Sequence, residues 1–134
     1  MRLIDTNIFL RYFTKDDEEK ANNVLCLLKR LEANQEKATT NLLVIFETIF
    51  TLERFYKVER EKIKDILLPI IDLRGLKLEH KDIIISSLHL FCEKNISFAD
   101  AFNVCFMKAH QIDEVYSYDK DFDNIEGIKR REPE

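Results

Sequence analysis

The feature that most constrains the fold is an alternation. Short apolar runs that stop on polar residues are each followed by a longer stretch of helical period. The chain opens with Leu3 and Ile4, breaks on Asp5, and becomes apolar again at Ile8, Phe9, Leu10, Tyr12 and Phe13. That is the pattern of a short buried strand that ends on a carboxylate and turns into a helix. Residues 16–34 continue as a helix: Asp16, Asp17, Glu18 and Glu19 crowd its first turn, and Ala21, Val24, Leu25, Leu28 and Leu31 form one apolar face. A short strand at 37–39 leads to Thr40 or Asn41 as a cap for a helix at 42–56 that is apolar on most sides. A further helix at 59–72 is expected to kink or break near Pro69.

Gly75 permits a turn into a strand at 76–78; helices follow at 81–93 and 97–110. The run 114–118 is a strand that ends at Asp119, and 127–130 is a last short strand before a polar tail. Helices separated by short strands imply a parallel sheet covered on both faces. The expected fold is therefore a single α/β domain over residues 1–134, three-layered α/β/α, with a short central parallel sheet of about five strands.

Composition narrows the function classes. With 46% hydrophobic and 34% charged residues the chain is a soluble globular one. No apolar run approaches membrane-spanning length, and Asp5 interrupts the N-terminal apolar run too early for a signal peptide. Cys26, Cys92 and Cys105 are widely spaced within apolar helical patterns and have no zinc spacing; they are expected to be reduced core residues of a cytoplasmic protein. His80, His89 and His110 are equally scattered. The only glycines are Gly75 and Gly127, which excludes a glycine-rich phosphate loop. A net charge of −4 argues at first against a nucleic-acid partner. If four of the 25 acids are set aside for one metal site, however, 21 remain, equal to the 21 Lys and Arg.

Four acids stand out by place. Asp5 ends the first strand, Glu47 sits mid-helix among apolar residues, Asp100 lies in the first turn of SFADAFNVCFMKA, and Asp119 ends the fourth strand with Asp121 two residues on. Each has an ordinary structural explanation. Asp5 or Asn7 caps the next helix, and on that stretch alone capping is the better account. Glu47 serves as the solvated position of its helix, although Leu43, Phe46 and Phe50 flank it at helical spacing and favour a buried or half-buried carboxylate. Ser97 and Asp100 form a Ser-x-x-Asp capping box, and Asp119-Lys120-Asp121 makes a turn. Together they carry more weight. Ligands of open α/β sheets bind beyond the carboxyl ends of the strands, and two carboxylates ~4 Å apart repel by roughly 4 kcal/mol at an effective dielectric near 20. A domain that gathers such acids on one rim needs a cation, and oxygen-only ligands select Mg²⁺ or Mn²⁺. With no nucleophilic Ser or Cys elbow nearby, the pattern points to phosphate-ester chemistry.

These residues bring the chain to a known family. It resembles a PIN-domain ribonuclease, most closely the VapC-like toxins of type II toxin–antitoxin pairs, through LIDTNIFL at 3–10, VIFETIFTL at 44–52, SFADAF at 97–102 and SYDKDFDNI at 117–125. The segments agree in order, spacing and total length. The resemblance places the family's acidic quartet on Asp5, Glu47, Asp100 and Asp119. It implies metal binding by Asp5, Asp100, Asp119 and Asp121, and orientation of the acids by Asn7 and Ser117. Many relatives carry a further acid where this chain has Ser97.

The resemblance implies metal-dependent cleavage of RNA, in which water activated by Mg²⁺ or Mn²⁺ attacks phosphorus in line and leaves 5′-phosphate and 3′-hydroxyl ends. It also implies a homodimer and an inhibiting antitoxin. Arg11, Lys15 or Lys129, Arg130 and Arg131 are candidates for the RNA backbone. Two alternatives remain open. One is a non-catalytic PIN-like module that binds RNA or protein. The other is an acidic-site phosphatase or receiver-like domain, which Asp5-Thr6-Asn7 fits poorly.

Overall fold

Leu3 and Ile4, the first apolar pair, part company at once: in a computed structural model, which describes residues 1–134, Ile4 is buried and Leu3 is exposed. Alternate strand residues point to opposite faces, so one face of the opening strand enters the core and the other does not. The chain divides into two compact units, Met1–Lys81 and Asp82–Glu134.

The N-terminal unit carries β1 (Arg2–Leu3), α1 (Thr6–Thr14), α2 (Glu18–Glu32), β2 (Ala38–Thr40), α3 (Leu42–Arg54), α4 (Arg60–Ile71) and β3 (Leu76–Leu78). Its sheet has the order β1-β2-β3, all parallel, with Leu3 opposite Thr39 and Thr39 opposite Lys77. The core gathers Ile4, Phe9, Val24, Leu28, Leu31, Ala38, Val44, Ile70 and Leu76, three from α2 and one each from α1, β2, α3, α4 and β3. The Thr40 hydroxyl donates to the Ile4 carbonyl at 3.0 Å, which satisfies a buried polar group between the first two strands.

The helix starts follow capping chemistry. Asp17 accepts from the Lys20 N–H at 3.0 Å, and Asn41 accepts from the Val44 N–H at 3.0 Å. Of the kink or break expected near Pro69, the break does not occur: α4 runs on to Ile71. The proline's missing N–H falls in the last turn, two residues before the helix ends at Ile71, and Asp72 closes that end on the Leu68 carbonyl at 3.2 Å. Gly75 is required for space rather than for an unusual turn: a Cβ there would lie 2.1 Å from the Glu36 carbonyl oxygen and 3.0 Å from that of Leu31.

The C-terminal unit follows with α5 (Lys81–Glu93), α6 (Phe98–Ala109), β4 (Glu114–Tyr116), a short 3₁₀ helix (Lys120–Asn124) and β5 (Lys129–Arg131). β4 and β5 pair in parallel, Val115 opposite Arg130. Phe91 and Phe98 meet edge to face at 6.0 Å across the α5–α6 connection, and Ser97 caps α6 by accepting the Asp100 N–H at 3.1 Å. The expected α/β class with parallel strands is what the chain adopts; its ladder bonds join three strands in one set and two in the other. The cysteines differ from expectation: Cys26 is exposed and Cys92 and Cys105 are half-buried, so none is a fully buried core residue. Cys26 falls on the solvent side of α2, where Val24 and Leu28 take the apolar face. No helix is long and apolar enough to cross a membrane.

Candidate metal centre

The carboxylates of Asp100, Asp119 and Asp121 come together in the C-terminal unit, one oxygen from each lying within 4.8 Å of the others. Local structure explains each position. Asp100 stands in the first turn of α6, where the Ser97 cap fixes the backbone. Asp119 follows β4 as the cap of the 3₁₀ helix: its Oδ1 accepts the Asp121 N–H at 2.9 Å, and its own N–H donates to Ser117 Oγ at 3.0 Å. Asp121 is thereby presented one residue into the 3₁₀ turn.

Electrostatics mark Asp100. It is half-buried while Asp119 and Asp121 are exposed. Burial raises its carboxyl above the usual range, the negative charge of Asp119 and a hydrogen bond with it raise it further, the Ser97 hydrogen bond opposes this, and Asp121 adds to it. Three acids at this spacing, with no His or Cys among them, offer the oxygen ligands that hard divalent cations take.

The other expected residues lie in the N-terminal unit. Asp5 is exposed at the cap position of α1, yet its side chain accepts no capping hydrogen bond. Capping therefore does not occupy this carboxylate. Asn7 is exposed on the first turn of α1. Glu47 is exposed rather than buried, because Val44, Ile45, Thr48 and Ile49 take the core side of α3 and leave Glu47 on the outer side with Leu43, Phe46 and Phe50. Apolar neighbours at helical spacing do not bury a residue when they are themselves exposed.

Arg130 and Arg131 are ion-paired: Arg130 Nε lies 3.0 Å from Asp123 Oδ1, Arg130 Nη1 lies 2.7 Å from Glu132 Oε2, and Arg131 Nη2 lies 2.8 Å from Glu114 Oε1. The hydrogen bond to Arg131 holds the Glu114 carboxyl below the usual range. Taken as a charge run, Lys129, Arg130 and Arg131 reveal nothing of this. The alternation within β5, exposed, half-buried, exposed, is the signal that sets Arg130 apart.

Comparison with known proteins adds two findings. The PIN domain family model matches residues 2–128, across both units. A relative named VapC ribonuclease, from Aquifex aeolicus (strain VF5), is 29% identical over 133 residues, covering 99% of this chain and 97% of its own length.

Proposed function

The chain belongs to the PIN domain family, and from that premise we propose that it is an endoribonuclease that hydrolyses RNA phosphodiester bonds with Mg²⁺ or Mn²⁺, acting as the toxin of a toxin–antitoxin pair. The observation that carries this is the convergence of Asp100, Asp119 and Asp121 within 4.8 Å. Exposed acids often cluster without an ion. The weight comes from the coincidence of this cluster with the family motifs, in a chain whose relative is named a ribonuclease over almost its whole length. The unbroken match from 2 to 128 supports one PIN-like domain made from both units.

Asp100, Asp119 and Asp121 would hold the cation. The family resemblance assigns Asp5, Glu47, Asp100 and Asp119 as the catalytic quartet. A bound divalent cation supplies Lewis acidity toward the phosphoryl group and toward water. The protein's own part is to fix the carboxylates before substrate arrives. The Ser117 hydroxyl holds the Asp119 backbone, and the Asp121 N–H orients the Asp119 carboxylate. Asn7 is assigned a similar orienting role. Asp100, with its raised pKa, is the group whose charge benefits most from a cation.

The exposed apolar stripe on α3 supports a homodimer: Leu43, Phe46 and Phe50 are 75%, 37% and 50% exposed. An antitoxin as inhibitor and a cytoplasmic location complete the reading. Incubation of total RNA with the purified protein in Mn²⁺, Mg²⁺ or EDTA tests it. Cleavage that requires metal and yields ends ligatable through a 5′-phosphate is the expected result; 2′,3′-cyclic phosphate ends would refute it.

A further inference from the structure

Arg130 has a side chain only 13% exposed, and it bridges two points on the chain. Its Nη1 donates to the Ser117 carbonyl at 3.1 Å, while Nε and Nη2 grip the two oxygens of Asp123 at 3.0 and 3.4 Å. Between those points lies the segment that bears Asp119 and Asp121. We propose that Arg130 is a positioning residue that staples the acid-bearing segment Ser117–Asp123 at both ends and so presets the carboxylates for a divalent cation. This rests on the functional reading above.

Three features carry the inference. β5 delivers the guanidinium to the segment through its pairing with β4: Val115 faces Arg130, and the Ser117 N–H donates to the Arg131 carbonyl at 3.0 Å. Ser117 is thus held at its N–H by the β5 backbone and at its carbonyl by the Arg130 side chain, while its hydroxyl holds the Asp119 N–H. The far end, Asp123, lies in the 3₁₀ helix that Asp119 caps. Only a planar fork of several donors spans a carbonyl and both oxygens of a carboxylate at once; a lysine offers one point charge. An ion pair at a protein surface contributes little to stability as such. Its value here is geometric, since residues behind a metal site that lock its acids typically alter metal affinity by about 10–100-fold. Glu132, the third partner of Arg130, lies outside the segment, accepts from Arg130 Nη1 at 2.7 Å and serves as the internal control.

The test measures two quantities for the wild type, Arg130→Gln, Asp123→Ala and Glu132→Gln, at a temperature where circular dichroism shows each protein folded. The first is amide hydrogen exchange at Asp119 and Asp121 in metal-free protein. The second is Mn²⁺ affinity by calorimetry. Arg130→Gln is expected to speed exchange at both amides while leaving the amides of α6 protected, and to weaken Mn²⁺ binding about tenfold or more. Asp123→Ala should do the same with Arg130 intact, which keeps the test alive if Arg130→Gln fails to fold. Glu132→Gln should match the wild type. Unchanged exchange in Asp123→Ala, unchanged Mn²⁺ affinity, or an equal effect of Glu132→Gln would overturn the staple while leaving the nuclease reading standing. A wild type that takes no Mn²⁺ would remove that reading and the positioning role with it.

Discussion

Asp119 and Asp121 are joined by a 2.9 Å hydrogen bond in which the carboxylate of the first accepts the backbone N–H of the second. The two acids are therefore not independent: one orients the other through the opening of the 3₁₀ helix. Asp119→Asn keeps a side-chain acceptor for that N–H and removes the charge. It is expected to retain the fold and to lose Mn²⁺ affinity by more than about a hundredfold, the upper end of what outer-shell changes produce. Asp119→Ala should lose the same affinity and also about 1 kcal/mol of stability with the cap. Calorimetric titration beside thermal melts separates the two effects.

Asp100 gives a pH dependence with a definite sign. Its carboxyl is raised above the ordinary value of 3.8, first by burial and then by Asp119. Between 3.8 and the folded value, the folded state holds the proton that the unfolded chain has released. Stability therefore falls as pH rises through that window, and ionised Asp100 remains a cost above it. Without divalent cations, Asp100→Asn is expected to melt slightly above the wild type at neutral pH, with the gap closing as pH falls toward 3.8. Mn²⁺ should reverse the order, since a ligand at 100 times its Kd stabilises by about 2.7 kcal/mol. Melting curves of both proteins across pH, with and without Mn²⁺, check this.

Legibility in the sequence followed the physics of each feature. Helical period and strand length placed every α-helix and strand to within a few residues, because burial of one face dominates those elements. Asp100, Asp119 and Asp121 were legible from strand ends and a capping box, which are local signals. The exposure of Glu47 was not, because Leu43, Phe46 and Phe50 read as core residues in a list of apolar types and only the fold shows them outside. Arg130 was masked by charged neighbours on either side. Its partner Asp123 is seven residues away, on a 3₁₀ turn whose geometry no period announces. Pro69 forfeits the bond to the Asp65 carbonyl, but only Ile70 and Ile71 follow it before the helix ends, so it does not interrupt α4.

Gly75 predicts a packing failure within the N-terminal unit. A methyl group there meets the Glu36 carbonyl oxygen at 2.1 Å and the Leu31 carbonyl oxygen at 3.0 Å; both are backbone atoms, and the Leu31 carbonyl is held close by the Gly75 N–H at 2.9 Å. Gly75→Ala is expected to destabilise by about 1–3 kcal/mol, as overpacking does. Urea unfolding monitored by circular dichroism measures it; an unchanged midpoint would contradict the close approach.

The outer face of α3 predicts an association that can be broken without unfolding. Phe46 stacks on Phe50 at 6.1 Å, and the Arg54 guanidinium lies 5.7 Å from the Phe50 ring. Leu43→Glu combined with Phe50→Glu should yield a monomer in sedimentation experiments where the wild type sediments as a dimer. The monomer's own stability should shift by no more than about 0.5 kcal/mol per site, since both positions face solvent.

The central claim is that the clustered carboxylates cut RNA through a divalent cation. Its most direct measurement is cleavage of total RNA by the wild type and by Asp100→Asn, side by side in Mn²⁺ and in EDTA. Both proteins must be shown folded by their melting curves. The account predicts discrete cleavage by the wild type in Mn²⁺ alone and none by Asp100→Asn in either condition. Equal cleavage by the two proteins, or cleavage that persists in EDTA, would contradict it.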